Sequence, residues 1–105
     1  LRESFQLKME HHLADLGASV LQDDGFFFLV SLAGFARYAA AVIFMINHRF
    51  EPSHRLIEMH LLDLPLLPED FPGRWETLLR SDLEISREQR YKVAELIAKS
   101  IVPLK

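Results

Sequence analysis

The sequence predicts an all-α domain, a four- to five-helix bundle built around one long apolar central helix. The first observation is the run over residues 26–46, in which Arg37 is the single charged residue. The second is that segments with apolar residues three and four positions apart precede and follow this run. The third is composition, because 105 residues of which 50% are hydrophobic suffice for one domain, residues 1–105, with its own core.

The first predicted helix occupies the amino-terminal segment. Apolar residues recur there at steps of three or four, namely Phe5, Met9, Leu13, Leu16 and Val20. Gly17 lies near the end of this pattern, and we expect the helix to stop there. The following Asp23-Asp24-Gly25 favours a plain turn between helices, with a short β-hairpin near residues 19–28 as the alternative.

The central helix is expected over residues 29–48, where alanines supply helix propensity and let neighbouring helices approach closely. Pro52 prevents its continuation. Ser53 is a candidate N-cap for a short third helix over residues 54–62. Two prolines make residues 64–68 a linker whose leucines must still pack against the bundle.

Two more helices complete the predicted bundle. Pro72 suits the first position of a fourth helix, and we expect Trp75 to anchor that helix against the central one, with Phe71 and Leu78 beside it. Ser86 and Gln89 form a capping-box pattern that begins the last helix, which Pro103 ends. The inward face of this last helix is predicted to consist of Val93, Ala94, Leu96, Ile97 and Ile101.

Composition and charge bear on the class of function. A net charge of −3 argues against general nucleic-acid binding, which requires a basic field. The chain has no cysteine, so it has no disulfide framework and no cysteine nucleophile, and we expect a reducing, cytoplasmic location. The apolar run is long enough for a membrane span. Arg37 at its middle would cost about 2.5–3.5 kcal/mol there, so we predict a bundle core and no membrane partner.

No recognisable catalytic or metal motif is present in the sequence. His11 and Asp15 share a helix face, but zinc needs three or four ligands and no second cluster completes the set. Asp23 and Asp24 are adjacent, whereas a nucleotidyl-transfer head alternates its Mg²⁺-binding aspartates. Phosphate-binding glycine loops and the Gly-x-Ser-x-Gly and His-Glu-x-x-His motifs are absent. We therefore expect no catalytic residue, metal ligand or cofactor in this segment, and its part in an enzyme stays open.

Arg37 is the most unusual residue of the central run, because an arginine in an apolar helix needs an anionic or polar partner. One interpretation is an internal salt bridge, for which Glu58, Asp63 and Glu76 are candidates.

The other interpretation is a polar groove that holds a ligand or a neighbouring domain. It would be framed by Arg37, Asn47 and Arg49, with Arg55 beside them.

The end of the central run resembles part of a known family. Asn47, Arg49 and Pro52, followed by Leu64-Pro65, are similar to the helical domain that follows the catalytic head in some bacterial nucleotidyltransferases. In those domains a long apolar helix ends in Leu-Asn-Arg-Arg-Tyr-x-Pro, and a short helix beginning near Lys-Trp and a Leu-Pro linker follow. The match covers about a third of the chain. The departures from the pattern are His48, Phe50, Arg55 and Leu56, the last two where Lys and Trp are expected.

The resemblance implies a helical accessory domain that assists acceptor or nucleotide positioning. Its substrate-binding residues would be Arg37, Asn47, Arg49 and Arg55. The catalytic carboxylates would lie in a head upstream of Leu1, a partner in cis, so that this segment is a piece of a longer chain. Mg²⁺ and a nucleotide are expected only with that head. A small-molecule acceptor is the implied substrate, and a homodimer is left open.

Two other classes of function stay open. One is a protein-interaction module that presents Phe50, Trp75 or residues 64–67 to a partner. The other is the ligand-sensing domain of a transcriptional regulator, in which Arg37 would meet a small anionic effector. A sensor should bind a metabolite alone and shift its thermal midpoint, whereas an accessory domain should bind little without its head.

Overall fold

The computed structural model describes residues 2–80 and 84–104, and these residues form a helical bundle without β-strands. The all-α prediction is therefore confirmed. The elements follow in the order α1 (Arg2–Leu21), α2 (Gly25–Ile46), a 3₁₀ turn (His54–Leu56), α3 (Ile57–Leu62), α4 (Phe71–Leu79) and α5 (Arg87–Ile101).

The carboxyl end of α1 is closed by its own backbone. Asp23 adopts a left-handed conformation with φ of 53°. Its N–H donates to the carbonyl of Val20 at 3.2 Å, and the N–H of Asp24 donates to that of Ser19 at 3.0 Å. This pair of hydrogen bonds is the Schellman arrangement that satisfies otherwise unpaired helix carbonyls.

Helix α2 begins directly after this turn. The Asp24 carboxylate accepts a hydrogen bond from the N–H of Phe27 at 3.0 Å and so acts as the N-cap. The hydrogen bonds at the end of α1 and the start of α2 therefore pair the backbone groups of the turn between them. The predicted interhelical turn is confirmed, and the described residues contain no hairpin at 19–28. Helix α2 therefore begins at Gly25 instead of the predicted residue 29, and it ends at Ile46.

The prediction that α1 stops at Gly17 is wrong, since the helix continues to Leu21. Gly17 instead permits the approach of α5, because a Cβ there would lie 2.9 Å from the ring of Tyr91. Gly34 has the same role between α1 and α2, where a Cβ would lie 2.5 Å from Nδ1 of His12. Both glycines are therefore packing positions inside helices.

Helix α2 runs back along α1, and α5 and α3 cover part of its remaining surface. Its most buried large side chains include Phe35, Val42 and Ile43. By length and composition alone α2 could also cross a membrane, a test that core helices of soluble proteins pass as well. Of its most apolar window, 56% is buried inside the bundle.

Helix α4 closes the core from another side. It begins at Phe71, so Pro72 takes its second position and not the predicted first. Trp75 is 5% exposed, its ring centroid lies 5.2 Å from that of Phe71, and both belong to the core cluster that includes α2. The predicted burial of Trp75 beside Phe71 is confirmed, although α4 packs mainly against α5. The indole Nε1 of Trp75 also donates to the Glu58 carboxylate at 2.9 Å.

The predicted third helix is only partly α-helical. Residues 54–56 form a 3₁₀ turn, α3 begins at Ile57, and the Ser53 side chain makes no capping hydrogen bond.

The predicted capping box of α5 is confirmed, because the N–H of Gln89 donates to the Ser86 hydroxyl at 3.1 Å and the N–H of Ser86 donates to the Gln89 side chain at 2.8 Å. The assignment of Leu96 to the inward face is wrong, since Leu96 is 44% exposed. The buried residues stand at positions i, i+3, i+4 and i+7 and include Ala98 instead: Ala94, Ile97, Ala98 and Ile101.

Candidate functional site

Arg37 lies on the outer face of α2 and is exposed. Its guanidinium carbon is 5.4 Å from the centroid of the Tyr38 ring, a cation–π contact. Across residues 2–80 and 84–104 it makes no ion pair, so the predicted internal salt bridge is absent. Glu58, one of the three candidate partners, binds Trp75 instead.

Asn47 is buried and tethers the linker to the end of α2. Its Nδ2 donates to the carbonyls of Ile43 and Leu66, both at 2.8 Å. Its Oδ1 accepts from the N–H of Leu66, also at 2.8 Å. Both amide hydrogens are therefore engaged within the chain, and this side chain sets the course of the linker over the bundle.

Arg49 lies just beyond the carboxyl end of α2, beside the fully exposed ring of Phe50. The two residues border a cleft of about 250 Å³. Its other walls are Phe44, Pro52, His60, Asp63 and Leu64. The cleft combines one guanidinium, one imidazole, one carboxylate and an aromatic edge, which is a donor and acceptor set suited to a small polar ligand.

The four predicted site residues do not share one cleft. Arg37 precedes the end of α2 by nine residues, so roughly 13 Å of helix separates it from the region of Arg49. Arg37 borders a separate groove of about 330 Å³ with three alanines of α2, Ile57 and Trp75. Arg55 is exposed on the 3₁₀ turn and lines neither hollow. Whether these residues bind a substrate stays a prediction.

The most conspicuous surface is an uncovered strip of α2, which we call the α2 stripe: Phe26, Leu29, Val30, Ala33 and Arg37. These residues stand at positions i, i+3, i+4, i+7 and i+11, so they lie on one side of the helix. Phe26 is 78% exposed, Leu29 63% and Val30 50%. The sequence carried a signal for it, because a helix that is apolar all round needs neighbours on all sides, and few helices are available in a chain of this length.

Charged side chains lie at both ends of the α2 stripe. At its amino-terminal end lie the exposed Asp23 and Asp24, of which Asp23 pairs with Arg87 at 3.3 Å. At its other end, Arg37 and Lys8 both lie beside the Tyr38 ring, with the Lys8 Nζ 5.6 Å from the ring centroid.

The resolved pKa shifts lie on α5. Burial, and then the nearby charge of Arg87, lower the pKa of Arg90, whose Nε donates to the carbonyl of Leu78 at 2.9 Å. Burial, and then the charge and hydrogen bond of Glu95, raise the pKa of Tyr91. Both shifts follow from packing of α5 against the bundle.

Metal-ligating side chains are dispersed over the part of the chain that the structure describes. No three of its histidine, aspartate and glutamate side chains lie close enough together to hold a metal ion. The arrangement thus offers an apolar docking face on α2 and a small polar cleft at the carboxyl end of that helix. Comparison with models of known protein families, with curated proteins and with solved structures finds no match to this chain.

Proposed function

We propose that this domain is a protein-interaction module that docks on another protein surface through the α2 stripe. The observation that carries the proposal is the exposure of Phe26, Leu29 and Val30 side by side on the most apolar helix of the bundle. Contiguous exposed apolar patches on soluble proteins mark interaction sites far more often than single exposed apolar residues do.

The energetics favour docking at this face. Burying a large apolar side chain stabilises a complex by about 1.5–3 kcal/mol before the entropic cost of association is subtracted. Ala33 has a small side chain, so a side chain of the partner can pack against the helix beside Val30. Arg37 adds a charge that can select an acidic partner. The stripe lies on a capped helix, so little backbone ordering is needed on binding.

The other surfaces predicted for an interaction module fit less well. Trp75 and Leu64 are buried, and the exposed leucine of residues 64–67 is Leu66, at 46%. Phe50 is fully exposed, but it lies beyond the carboxyl end of α2 and is therefore not part of the apolar face of that helix. The α2 stripe instead presents three exposed apolar side chains together on one face of a long helix.

The test is site-specific photo-cross-linking of the intact chain in its own cell. A photoreactive amino acid replaces Leu29 in one variant and Leu96 in a matched control, since Leu96 is exposed on α5, outside the stripe. We expect a discrete product that cross-links position 29 to another polypeptide, and none from position 96. A product within the same chain would show that the stripe is covered internally and would overturn the proposal. Equal or absent products at both positions would overturn the proposal.

A second candidate function is that of a helical accessory domain in a nucleotidyltransferase-like protein, where it assists acceptor or nucleotide positioning. The polar cleft beside Arg49, at the place where the sequence resembles such domains, supports this candidate. Mg²⁺ and a nucleotide would then be bound by the upstream head.

This candidate is tested with Arg49→Met in the intact chain, with Arg55→Met as a control outside the cleft. One charge-assisted contact contributes about 1.5–3 kcal/mol, so the first variant should lose roughly ten- to a hundredfold in transfer efficiency. Arg37→Met probes the separate groove in the same assay. If Arg49→Met folds normally and retains full activity and substrate affinity, the cleft is not a substrate site.

A further inference from the structure

We propose that the polar cleft at the carboxyl end of α2 binds a free α-amino acid with an apolar side chain. The observation that carries this inference is that Arg49 and Asp63 line one cleft of about 250 Å³ without forming an ion pair with each other. The inference does not depend on the interaction proposed for the α2 stripe. It rests on the same cleft as the accessory-domain candidate and names the chemical class of its ligand.

The charges of the cleft match a zwitterion. Within residues 2–80 and 84–104, Arg49, His60 and Asp63 make no ion pair and no side-chain hydrogen bond. Both charges can therefore bind a ligand without breaking an existing bridge. An α-amino acid carries a carboxylate for the guanidinium of Arg49 and an ammonium group for the carboxylate of Asp63. A ligand with a single charge would leave one of the two protein charges unpaired.

The backbone fixes the positions from which both charges extend. The N–H of Arg49 donates to the carbonyl of Phe44 at 3.0 Å, as part of the turn that ends α2. Asp63 is the C-cap of α3, and its N–H donates to the carbonyl of His60 at 3.2 Å. The linker that follows is tethered by Asn47. Little backbone ordering is therefore needed when a ligand binds.

The apolar walls of the cleft select the side chain of the ligand. Phe44 and Leu64 are 2% and 6% exposed, so they form a fixed apolar wall, and the fully exposed ring of Phe50 borders the same cleft. An apolar or aromatic side chain would bury surface against all three. Sites for drug-sized ligands occupy roughly 300–1,000 Å³, so this smaller cleft favours a ligand of the size of one amino acid.

The first measurement is an amide NMR titration of the intact chain with L-phenylalanine, and with L-leucine as its aliphatic counterpart. We expect binding with a dissociation constant of roughly 0.1–1 mM, because the ligand is small and the side chains around it are exposed. The shifted amides should include those of Arg49, Phe50, Asp63 and Leu64. Glycine, which has no side chain to bury, should bind at least several-fold more weakly.

Blocked ligands test the two charges separately. N-acetyl-L-phenylalanine lacks the ammonium charge, and L-phenylalanine amide lacks the carboxylate. Since each has lost one charge-assisted contact, both should bind at least about tenfold more weakly than L-phenylalanine.

Two variants assign each charge of the ligand to its partner. Arg49→Met should bind L-phenylalanine at least about tenfold more weakly and should no longer distinguish it from the amide. Asp63→Asn should likewise no longer distinguish it from the N-acetyl ligand. Glu51→Gln and Arg55→Met are the matched controls and should bind as the wild type does, since Glu51 lines a neighbouring hollow and Arg55 lies outside the cleft. All four side chains are exposed, so the denaturation midpoints should be unchanged.

The outcomes separate this inference from the proposed functions. It is overturned if neither L-phenylalanine nor L-leucine binds saturably up to roughly 20 mM, if the blocked ligands bind equally well, or if the shifted amides lie outside the cleft. A photo-cross-link from position 29 would still support the interaction module in each of these cases. A loss of transfer efficiency in Arg49→Met without amino-acid binding would leave the accessory-domain candidate with a different ligand.

Discussion

His48 occupies a backbone conformation that favours glycine. Its φ is 56°, in the left-handed region, and it stands at the position that closes α2. The N–H of His48 donates to the carbonyl of Met45, and the N–H of Arg49 to that of Phe44, both at 3.0 Å. The hydrogen bonds of the helix cap are therefore made. The left-handed backbone of His48 is nevertheless strained, because a residue with a Cβ disfavours that conformation.

Replacing His48 with glycine should stabilise the domain. The His48→Gly variant should gain about 0.5–1 kcal/mol in free energy of unfolding, because relief of the left-handed strain exceeds the added freedom of the unfolded chain. Chemical denaturation measures the change. His48→Ala is the control and should show no such gain, since it keeps the Cβ. A loss of stability in the glycine variant would contradict the strained cap.

We expect Asn47, which the sequence grouped with candidate substrate-binding residues, to stabilise the fold. Asn47→Ala removes two hydrogen bonds to Leu66 of the linker and one to Ile43 of α2, and we expect a loss of about 2–3 kcal/mol in free energy of unfolding. Arg49→Ala, at an exposed neighbour, should change it by less than about 0.5 kcal/mol. Equal effects in urea denaturation would show that the linker is not held by Asn47.

At the scale of helices, the contact between α1 and α2 depends on a missing Cβ. Gly34→Ala places a methyl group 2.5 Å from the His12 ring, which is stacked on Tyr38 with centroids 5.5 Å apart. Displacing that ring should destabilise the domain by about 1–3 kcal/mol. In a His12→Ala background the same substitution should instead stabilise it by up to about 1 kcal/mol, through helix propensity. The same sign in both backgrounds would contradict the close contact.

Packing of α5 should be visible in the titration of Tyr91. The pKa of Tyr91 is raised above 10.0, first by burial and then by Glu95. The folded state therefore holds the phenolic proton more tightly than the unfolded chain, and this contribution to stability is present below pH of about 10 and is lost as pH rises through the folded pKa.

In a Tyr38→Phe background Tyr91 is the single tyrosine, so its phenolate absorbance can be followed alone. The midpoint should lie above that of free tyrosine. Adding Glu95→Gln should lower it only part of the way, because burial is the larger cause. A midpoint unchanged by Glu95→Gln would exclude a contribution of that carboxylate.

At the scale of the whole molecule, two phenylalanines on one helix report how α2 is oriented in the bundle. Phe35 is fully buried in the core, and Phe26 lies on the α2 stripe. Phe35→Ala should cost about 3–5 kcal/mol of unfolding free energy. Phe26→Ala should cost less than about 0.5 kcal/mol at concentrations where the chain is monomeric. Similar losses in both variants would show that the stripe is covered within the chain.

The sequence by itself determined the helices and several of their ends. Periodicity and capping act over three or four residues, so the central apolar helix, the Ser86–Gln89 box and the start of α4 were predictable. The burial of Trp75 was predictable for the same reason, since it lies on the apolar face of an amphipathic helix.

Only the tertiary structure decided which side of each helix is covered. A buried and an exposed position can have the same local sequence, because coverage depends on where distant helices lie. For that reason Arg37 faces outward and Asn47 inward, although the sequence grouped both as site residues. Gly17 and Gly34 serve helix packing and not helix ends because their partners, Tyr91 and His12, lie on other helices. The α2 stripe is exposed because the four other α-helices of the described residues do not enclose this apolar helix on every side.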